Sequence, residues 1–352
     1  MAPGSDITEI KSLLQARILD LIAVLQIEGY RAGRSWMGKN PTRADNKAGS
    51  FLVYISGART GGWIDMATGD KGDVLQLIQY VLRLAKIGDA IRWAKDWLNY
   101  RDVPAPERAK VAAELAAKRV AAEQQEAEDL DKKRNRAFSV WLKCEAELRG
   151  TPAARYLSAR GIRYSVLPRP PRAVRFSPSQ KYTETGEHFP AIVALITGNG
   201  GERLAIHRTF LAPDGSGKAP VQHARKVWPS GWAGGTIKLA RGETGLSPAE
   251  AAKHGLWDKL ILCEGIEDGL SLAMACPEYR IWAAISLYNL ANVRLPDCCG
   301  EVIVAADNDW GKRGAEKQLQ RAIEALGRQG RKVLVARSHV GKDANDALRG
   351  AA

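Results

Sequence analysis

The sequence predicts a chain of several domains that combines an α/β segment with α+β segments. Three observations lead to this prediction. Buried strands alternate with helices near the C-terminus, short strands and polar turns fill the centre, and a hairpin lies among amphipathic helices near the N-terminus. The length of 352 residues allows two or three domains. Hydrophobic residues at 45% and charged residues at 26% are typical of globular proteins, which excludes a fibre or a mostly disordered chain.

The N-terminal segment, residues 1–103, is predicted to form a small domain of helices and one hairpin. Helical spacing of apolar residues, glycine-bounded apolar runs and a Gly-, Asn- and Arg-rich stretch define its elements. In chain order we expect a helix, a loop, two strands and two helices: 6–28, 31–50, 51–55, 61–67, 71–84 and 89–98. Such a unit of about one hundred residues can fold on its own.

A charged segment and a mixed domain follow. Residues 104–136 are rich in Ala, Glu, Lys, Arg and Gln, which favours a helical linker that either only provides reach or takes part in binding. Residues 137–255 are expected to form an α+β domain that begins with a helix over 137–160, ended by Gly161. Short strands separated by long polar turns are predicted to follow that helix.

Residues 256–352 show a regular alternation of strands and helices. The strands are nearly continuous apolar runs: 259–265, 280–285, 301–309 and 331–337. Helices are expected at 267–275 and 315–330 and after the loop that begins at Gly341. Apolar strands that alternate with helices indicate a parallel, Rossmann-like sheet covered on both faces.

Excess positive charge is concentrated in the centre of the chain. Lys and Arg number 52 and Asp and Glu number 39, for a net charge of +13. Residues 131–241 contain 20 basic and 7 acidic residues, so this segment holds the whole excess. A basic face of this size favours a polyanionic partner, and nucleic acid is the usual one.

Cysteines and hydropathy exclude other classes of protein. The five cysteines form no C-x-x-C pair, which argues against a disulfide scaffold and a four-ligand zinc site. No apolar stretch approaches the roughly 18 to 20 residues of a membrane span. The N-terminus also lacks the pattern of a secretory signal, so we expect a cytoplasmic protein without a membrane partner.

Acidic residues follow the predicted C-terminal strands. They are Glu264, Asp307, Asp309, Asp343 and Asp346. Ligands of open α/β sheets bind beyond the carboxyl ends of the strands, so these side chains are expected to converge. Carboxylates so close together require cations, and the oxygen ligands favour Mg²⁺ or Mn²⁺. Such metals serve phosphoryl transfer, which fits a nucleic-acid enzyme.

These acids lie in three motifs that resemble those of the Toprim domain, which occurs in bacterial DnaG-type primases, topoisomerases, recombination mediators and nucleases. The matching residues are Glu264, Gly265 and Asp268 for E-G-x-x-D, Asp307 and Asp309 for D-x-D, and Gly341, Lys342 and Asp343 for G-K-D. Primases usually carry a second aspartate at the position of Asn345, and Asp346 follows it here. The resemblance therefore leaves open whether Asn345 or Asp346 serves the metal held by the other acids, Asp268 included.

The central segment resembles the basic region before Toprim in primases of phages, plasmids and integrative elements. The similarity covers the strand 202–211 and the glycine turn with its lysine, 212–220. It implies that basic residues contact the nucleotide or template: His207, Arg208, Lys218, Lys226 and Lys342. His207 and Arg208 are expected to face one cleft, although a core histidine beside a surface arginine is the alternative.

Residues 38–78 resemble the zinc-ribbon domain that begins DnaG-type primases, with the landmarks NP, SF, GGW and KGDVLQLI. The ligand cysteines and histidine of the family are absent, so no zinc is expected. We expect a ribbon held by packing of aromatic residues, Trp36, Phe51, Tyr54 and Trp63. The resemblance implies template recognition by polar residues: Lys39, Asn40, Arg43 and Arg59.

Together these resemblances imply a DNA primase of a mobile element that makes RNA primers from NTPs on single-stranded DNA. Glu264, Asp307, Asp309 and Asp343 would be the catalytic acids. No G-x-x-x-x-G-K-[ST] motif occurs, so a separate helicase or replication initiator is the expected partner. The alternatives are a Toprim nuclease with the same acids and a non-catalytic DNA-binding accessory protein, while a topoisomerase lacks an obvious tyrosine nucleophile.

Overall fold

The computed structural model describes residues 3–43, 45, 47–100, 104–308, 313–338 and 340–350. The chain divides into two compact units, residues 1–129 and 130–352. The boundary falls inside one long helix, α5 (Ala105–Leu142), which includes the predicted linker. No described helix is long and apolar enough to cross a membrane.

The first unit joins four helices to an antiparallel sheet. The helices are α1 (Pro3–Ala16), α2 (Ile18–Val24), α3 (Val74–Val81) and α4 (Ile87–Trp97). The strands pair in chain order and are β1 (Gly29–Ala32), β2 (Ser35–Gly38), β3 (Phe51–Tyr54), β4 (Trp63–Asp65) and β5 (Lys71–Gly72). The predicted hairpin is β3–β4, and the three predicted helical regions are present.

Two local predictions for this unit are wrong. Residues 31–50 are not all loop, because β1 and β2 form a hairpin around Gly33, whose φ is +60°. Every residue of β1 is exposed, so backbone pairing rather than an apolar pattern makes this strand. The predicted helix over 6–28 is divided at Arg17 into α1 and α2.

The core of the first unit lies between its helices and its sheet. Phe51 and Trp63 are buried with ring centroids 5.4 Å apart, as the predicted aromatic packing requires. Trp36 packs at the edge of this core and donates its indole N–H to the Ile27 carbonyl oxygen. Tyr54 is half-buried beneath the Arg59 guanidinium. A buried hydrogen bond between Asn40 and Asp65 supplements this aromatic core.

The second unit contains two sheets. Its remaining helices are α6 (Pro152–Ala159), α7 (Pro248–Lys253), α8 (Ile266–Ala275), α9 (Leu287–Leu290), α10 (Arg313–Gly327) and α11 (Ala344–Leu348), with a 3₁₀ turn at Tyr164–Val166. The predicted helix over 137–160 is wrong as one element, because α5 ends at Leu142 and α6 starts ten residues later. Thr151 caps α6 by accepting from the Ala154 N–H.

The basic segment folds into a four-stranded antiparallel sheet. Its strands pair in chain order and are β6 (Val174–Lys181), β7 (His188–Thr197), β8 (Arg203–Phe210) and β9 (Arg225–Trp228). One face of the sheet packs on Ala137 and Trp141 of α5, and the other contributes to a core shared with α6 and α8. The sheet therefore presents two different faces to its neighbours.

The C-terminal sheet has the order β10-β12-β11-β13-β14. Its strands are β10 (Ile237–Arg241), β11 (Leu260–Cys263), β12 (Arg280–Ala283), β13 (Glu301–Ala306) and β14 (Lys332–Arg337). β12, β11, β13 and β14 are parallel, and β10 pairs antiparallel with β12. The parallel part agrees with the predicted α/β class, while β10 extends the sheet to residues before the expected boundary at 256.

Candidate active site

Acidic side chains lie at the carboxyl ends of the parallel strands. Glu264 directly follows β11 and Asp307 directly follows β13. Asp343 caps α11, which follows β14. Glu264 and Asp307 line one small cavity together with Arg337. The topology therefore gathers acids at one edge of the sheet, where ligands of such folds bind.

Asp268 lies in the first turn of α8, where the negative charge of the neighbouring acids affects its pKa. Burial, together with the negative charges of Asp343 and Asp307, raises the pKa of Asp268 to about 7. The carboxylates from three elements are thus close enough to repel one another. A bound cation would relieve this repulsion.

The donor set fits a hard divalent cation such as Mg²⁺ or Mn²⁺, which prefers carboxylate oxygens. Within the described ranges, no group of three or more His, Cys, Asp and Glu side chains converges closely enough to hold a metal ion. Asp309, one of the expected ligands, lies outside the described residues. The described acids are therefore neighbours that do not enclose an ion by themselves.

The loop between β14 and α11 is held in place by its own polar groups. Asp346 accepts from the Lys342 N–H at 2.9 Å, and Asp343 accepts from the Asp346 N–H at 2.9 Å. Gly341 has a φ of +67°, and a Cβ there would lie 2.4 Å from Cβ of Asp346. Asn308 donates its N–H to the Lys342 carbonyl oxygen at 2.7 Å. These bonds fix the loop beside the end of β13.

Asn345 and Asp346 have different surroundings. The Asn345 side chain is fully buried and donates to the Arg160 carbonyl oxygen and to Ser271 Oγ, at 2.8 and 2.9 Å. Its backbone N–H donates to Asp268 Oδ1 at 3.3 Å. Asn345 therefore ties α11 to α8 and to the end of α6, whereas Asp346 in the first turn of α11 is partly exposed.

Strand β8 separates two of the expected basic contacts. His207 is 6% exposed and belongs to the face shared with α8, where burial lowers its pKa to about 4. Arg208 contacts the Lys181 carbonyl oxygen and the Phe210 ring on the other face, beside Lys226, its register partner on β9. The expectation that His207 and Arg208 share one cleft is wrong, because consecutive side chains of a strand point to opposite faces.

A buried charge network links the basic sheet to α8. Glu267 Oε1 accepts from Arg225 Nη2 and from the Tyr156 hydroxyl, both at 2.7 Å. Burial raises the pKa of Glu267, but Arg225 and Tyr156 outweigh it and lower the pKa to about 2. Lys218 forms a β-bridge with Leu211 just after β8, and burial and the charge of Arg225 lower its pKa. The network therefore assembles cations close to α8.

Tyr156, Arg225 and Glu267 are site residues that the sequence alone did not predict. Tyr156 and Arg225 are 111 and 42 residues from Glu267, so no local spacing connects them. The position of Glu267 inside the E-G-x-x-D motif was the one feature of the sequence that could have indicated its role. By contrast, Lys342 was expected at the site, and its Nζ lies 3.6 Å from Asp307 Oδ2.

In the first unit, two of the expected template contacts lie in a polar cluster, here called the Arg43 cluster: Asn40, Arg43, Asp45 and Asp65. Asn40 is 1% exposed and donates to Asp65 Oδ2 at 2.7 Å. Arg43 forms ion pairs with Asp45 and with the fully buried Asp65 side chain. Asn40 therefore faces the interior of the unit, and Arg43, whose side chain is 30% exposed, is engaged by Asp45 and Asp65.

The other two expected contacts are on the surface of the first unit. Lys39 pairs with Glu28 at 3.0 Å, and both side chains are exposed. Arg59 donates to the Tyr54 hydroxyl at 3.1 Å and lies over its ring. Both cations can still be reached by a nucleic acid, since exposed ion pairs are weak and readily exchanged.

Family comparisons agree with the geometry of the acidic edge. Residues 259–352 match the Toprim domain family, and residues 131–239 match a domain of unknown function, DUF7146. The C-terminal part of the chain is therefore a Toprim domain, which confirms the resemblance found in its three motifs. No curated protein matches the sequence.

Several solved structures of DNA primases are among those that resemble this chain. The Aquifex aeolicus primase, with zinc-binding and RNA polymerase domains, matches at 15% identity and a TM-score of 0.38, covering 97% of this chain and 82% of that one. The DnaG primase catalytic domain bound to ssDNA matches at 15% identity with a TM-score of 0.44, and the match covers 64% of this chain and 76% of that one. The primase fragment of the bacteriophage T7 primase-helicase protein matches at 17% identity with a TM-score of 0.35, and the match covers 59% of this chain and 71% of that one.

Proposed function

We propose that this protein is a DNA primase that synthesises short RNA primers on single-stranded DNA during replication of a phage, plasmid or integrative element. The observation that carries this proposal is the juxtaposition, within one unit, of the acidic Toprim edge with a set of cations. Arg225 and Lys218 lie on the α8 side of the basic sheet, and Lys342 adjoins Asp307. Nucleotidyl transfer requires both kinds of residue. The acids hold the metal ions, and the basic side chains bind the polyphosphate of the nucleotide beside them.

Under this proposal Asp307, Asp309 and Asp343 hold Mg²⁺ or Mn²⁺, with Glu264 completing the set or moving a proton. The cations would supply charge neutralisation for the reacting phosphate. Asp346 is better placed than Asn345 to add an oxygen ligand, because the Asn345 side chain is buried against Ser271. Asp268 is held by the Asn345 N–H and supplies further negative charge.

The basic residues are proposed to act in two groups. Lys218, Arg225 and Lys342 bind the triphosphate, and Glu267 with Tyr156 fixes the guanidinium of Arg225 for that role. Arg208 and Lys226 lie on the opposite face of the basic sheet and are proposed to contact the template backbone. His207 would support the sheet as a neutral core residue, since its pKa of about 4 keeps it uncharged near neutrality.

The first unit is proposed to contact the template, and a separate helicase or replication initiator is the proposed partner. Its surface cations Lys39 and Arg59 would approach the phosphates, while the Arg43 cluster keeps the sheet together without zinc. This assignment differs from the expectation for Asn40 and Arg43, whose side chains are engaged inside the unit.

One assay tests the proposed activity. The full chain is incubated with single-stranded DNA, labelled NTPs and Mg²⁺ or Mn²⁺, and products are scored for new RNA and for template cleavage. We expect RNA oligomers that depend on the template and on the cation, with an intact template. Template cleavage without RNA synthesis would identify a nuclease instead, and neither product would indicate a DNA-binding accessory protein.

A further inference from the structure

We propose that the first unit contains a binding pocket for one nucleotide unit, a base with its phosphate, formed by α3 and the β4–β5 strands. The inference rests on the proposed function and deepens it by locating a ligand site in this unit. An open cavity of about 670 Å³ lies there, with Tyr80, Gln79, Lys71 and Arg83 in its lining. Its volume is within the usual range for small-ligand pockets.

The cavity offers an aromatic surface held at a fixed position. Tyr80 is half-buried, and its ring lies 4.5 Å from the Trp63 ring and 6.0 Å from the Phe51 ring, centroid to centroid. The Tyr80 hydroxyl accepts from Asn40 Nδ2 at 2.8 Å. The Arg43 cluster, through Asn40, therefore orients the ring. A preorganised aromatic face is suited to stacking on a nucleobase.

Amide groups at the cavity can read the edge of a base. Gln79 donates to the Leu84 carbonyl oxygen at 3.3 Å through Nε2, and Gln76 accepts from the Asp73 N–H at 3.0 Å through Oε1. Each amide has a further donor or acceptor beyond these bonds. Amide side chains pair with base edges because they offer a donor and an acceptor together.

Two cations complete the ligand chemistry. Lys71 is exposed at the cavity, and Arg83 donates Nη2–H to the Thr42 carbonyl oxygen at 2.6 Å, which fixes its guanidinium at the rim. Both cations are suited to the phosphate of a nucleotide whose base lies on Tyr80. Asp70 also lines the cavity and can accept from an exocyclic amino group. An aromatic face, amides and cations in one cavity match a nucleotide unit better than an apolar ligand.

The experiment measures, by fluorescence anisotropy, how tightly the full chain binds two labelled oligonucleotides. One oligonucleotide is intact and the other contains abasic positions. We expect the wild type to bind the intact strand at least about fivefold more tightly, as base stacking predicts. Tyr80→Leu should abolish this preference, whereas Tyr80→Phe, which keeps the ring, should retain it. Circular dichroism melts establish that both variants fold.

The cation arm uses Lys71→Ala with Lys47→Ala as the matched control, since Lys47 is exposed in the same unit and does not line the cavity. We expect weaker binding of both oligonucleotides only for Lys71→Ala, and this arm stands even if Tyr80→Leu does not fold. Competition by free ATP would identify a free nucleotide as the ligand, and its absence would identify a strand.

The proposal is overturned if the wild type does not distinguish intact from abasic strands, if a folded Tyr80→Leu keeps the preference, or if Lys71→Ala binds like Lys47→Ala. Primer synthesis by the same preparations is measured separately. If the binding tests fail but primers are made, the pocket is wrong and the proposed function stands. If binding depends on the bases but no primers are made, the pocket stands and the proposed function is wrong.

Discussion

The carboxylates of the Arg43 cluster in the first unit and those at the acidic edge of the second unit have opposite surroundings. In the first unit, burial raises the pKa of Asp65, but hydrogen bonds from Arg43 and Asn40 outweigh it and leave the pKa below its ordinary value. In the second unit, burial and the neighbouring Asp343 and Asp307 raise the pKa of Asp268 to about 7. Negative charge is neutralised within the Arg43 cluster, whereas repulsion at the acidic edge raises the pKa of Asp268 and favours a bound cation.

The largest effect is expected from removing an acid of the second unit. Asp307→Ala should lower primer synthesis at least about a hundredfold, since even indirect support of a metal ligand is worth 10–100-fold. Folding should survive, because loss of one carboxylate reduces repulsion at the edge. The measurement is template-dependent incorporation of labelled NTPs, together with the Tm. Asp297→Ala, at an exposed acid of the same unit, is the control, and equal activity of the two variants would refute the site.

The Arg43 cluster provides the corresponding test in the first unit. Arg43→Met should lower the Tm by roughly 5–10 °C, because it leaves Asp65 buried without its cation. The double variant Arg43→Met/Asp65→Asn should recover much of that loss, since the fully buried charge is removed and Asp45 still accepts from the Asn40 N–H and the Ser50 hydroxyl. Thermal melts followed by circular dichroism measure both, and additive losses in the double variant would contradict the assignment.

Acid should affect the same cluster. Hydrogen bonds from Arg43 and Ser50 lower the pKa of Asp45, and the pKa of Asp65 is also depressed. The stability contributed by a depressed carboxyl is complete above its unfolded pKa, about 4, and is lost as pH falls through the folded value. Below about pH 4 the wild type should therefore lose Tm more steeply than Arg43→Met/Asp65→Asn.

A smaller effect is expected at the charge network of the second unit. Glu267→Gln removes the partner of Arg225 and should raise the KM for NTPs several-fold while kcat changes less, because phosphate binding is weakened. Tyr156→Phe removes one hydrogen bond to Glu267 and should act in the same direction with a smaller change. Steady-state kinetics separates the parameters, and a loss confined to kcat would show that Arg225 is not a phosphate contact. Glu187→Gln, at an exposed acid, is the control.

Metal removal should leave the first unit unchanged. No cysteine or histidine occurs among residues 1–100, so elemental analysis of the purified chain should find no stoichiometric zinc. EDTA should not lower the Tm of Arg43→Met further, because an ion pair rather than a metal supports the cluster. One zinc per chain would contradict this expectation, whereas loss of Mg²⁺ or Mn²⁺ from the second unit would not.

The predictability of the two units follows from how local their signals are. Strand β11 is a buried apolar run and Glu264 directly follows it, so both were visible in the sequence, whereas β14 is mostly exposed although its sequence is apolar. The β1 strand is exposed along its length and carries no such pattern. The Arg43–Asp65 and Tyr156–Glu267 contacts join residues 22 and 111 positions apart, which no local spacing shows.

The most direct test of the central claim is a calorimetric titration of the metal-free full chain with Mn²⁺. We expect binding to the wild type, equal binding to Arg43→Met/Asp65→Asn, and loss of binding in Asp307→Ala. This result would show that the acids of the second unit receive the cation and those of the first do not. Equal binding by Asp307→Ala, or no binding to the wild type, would contradict the account.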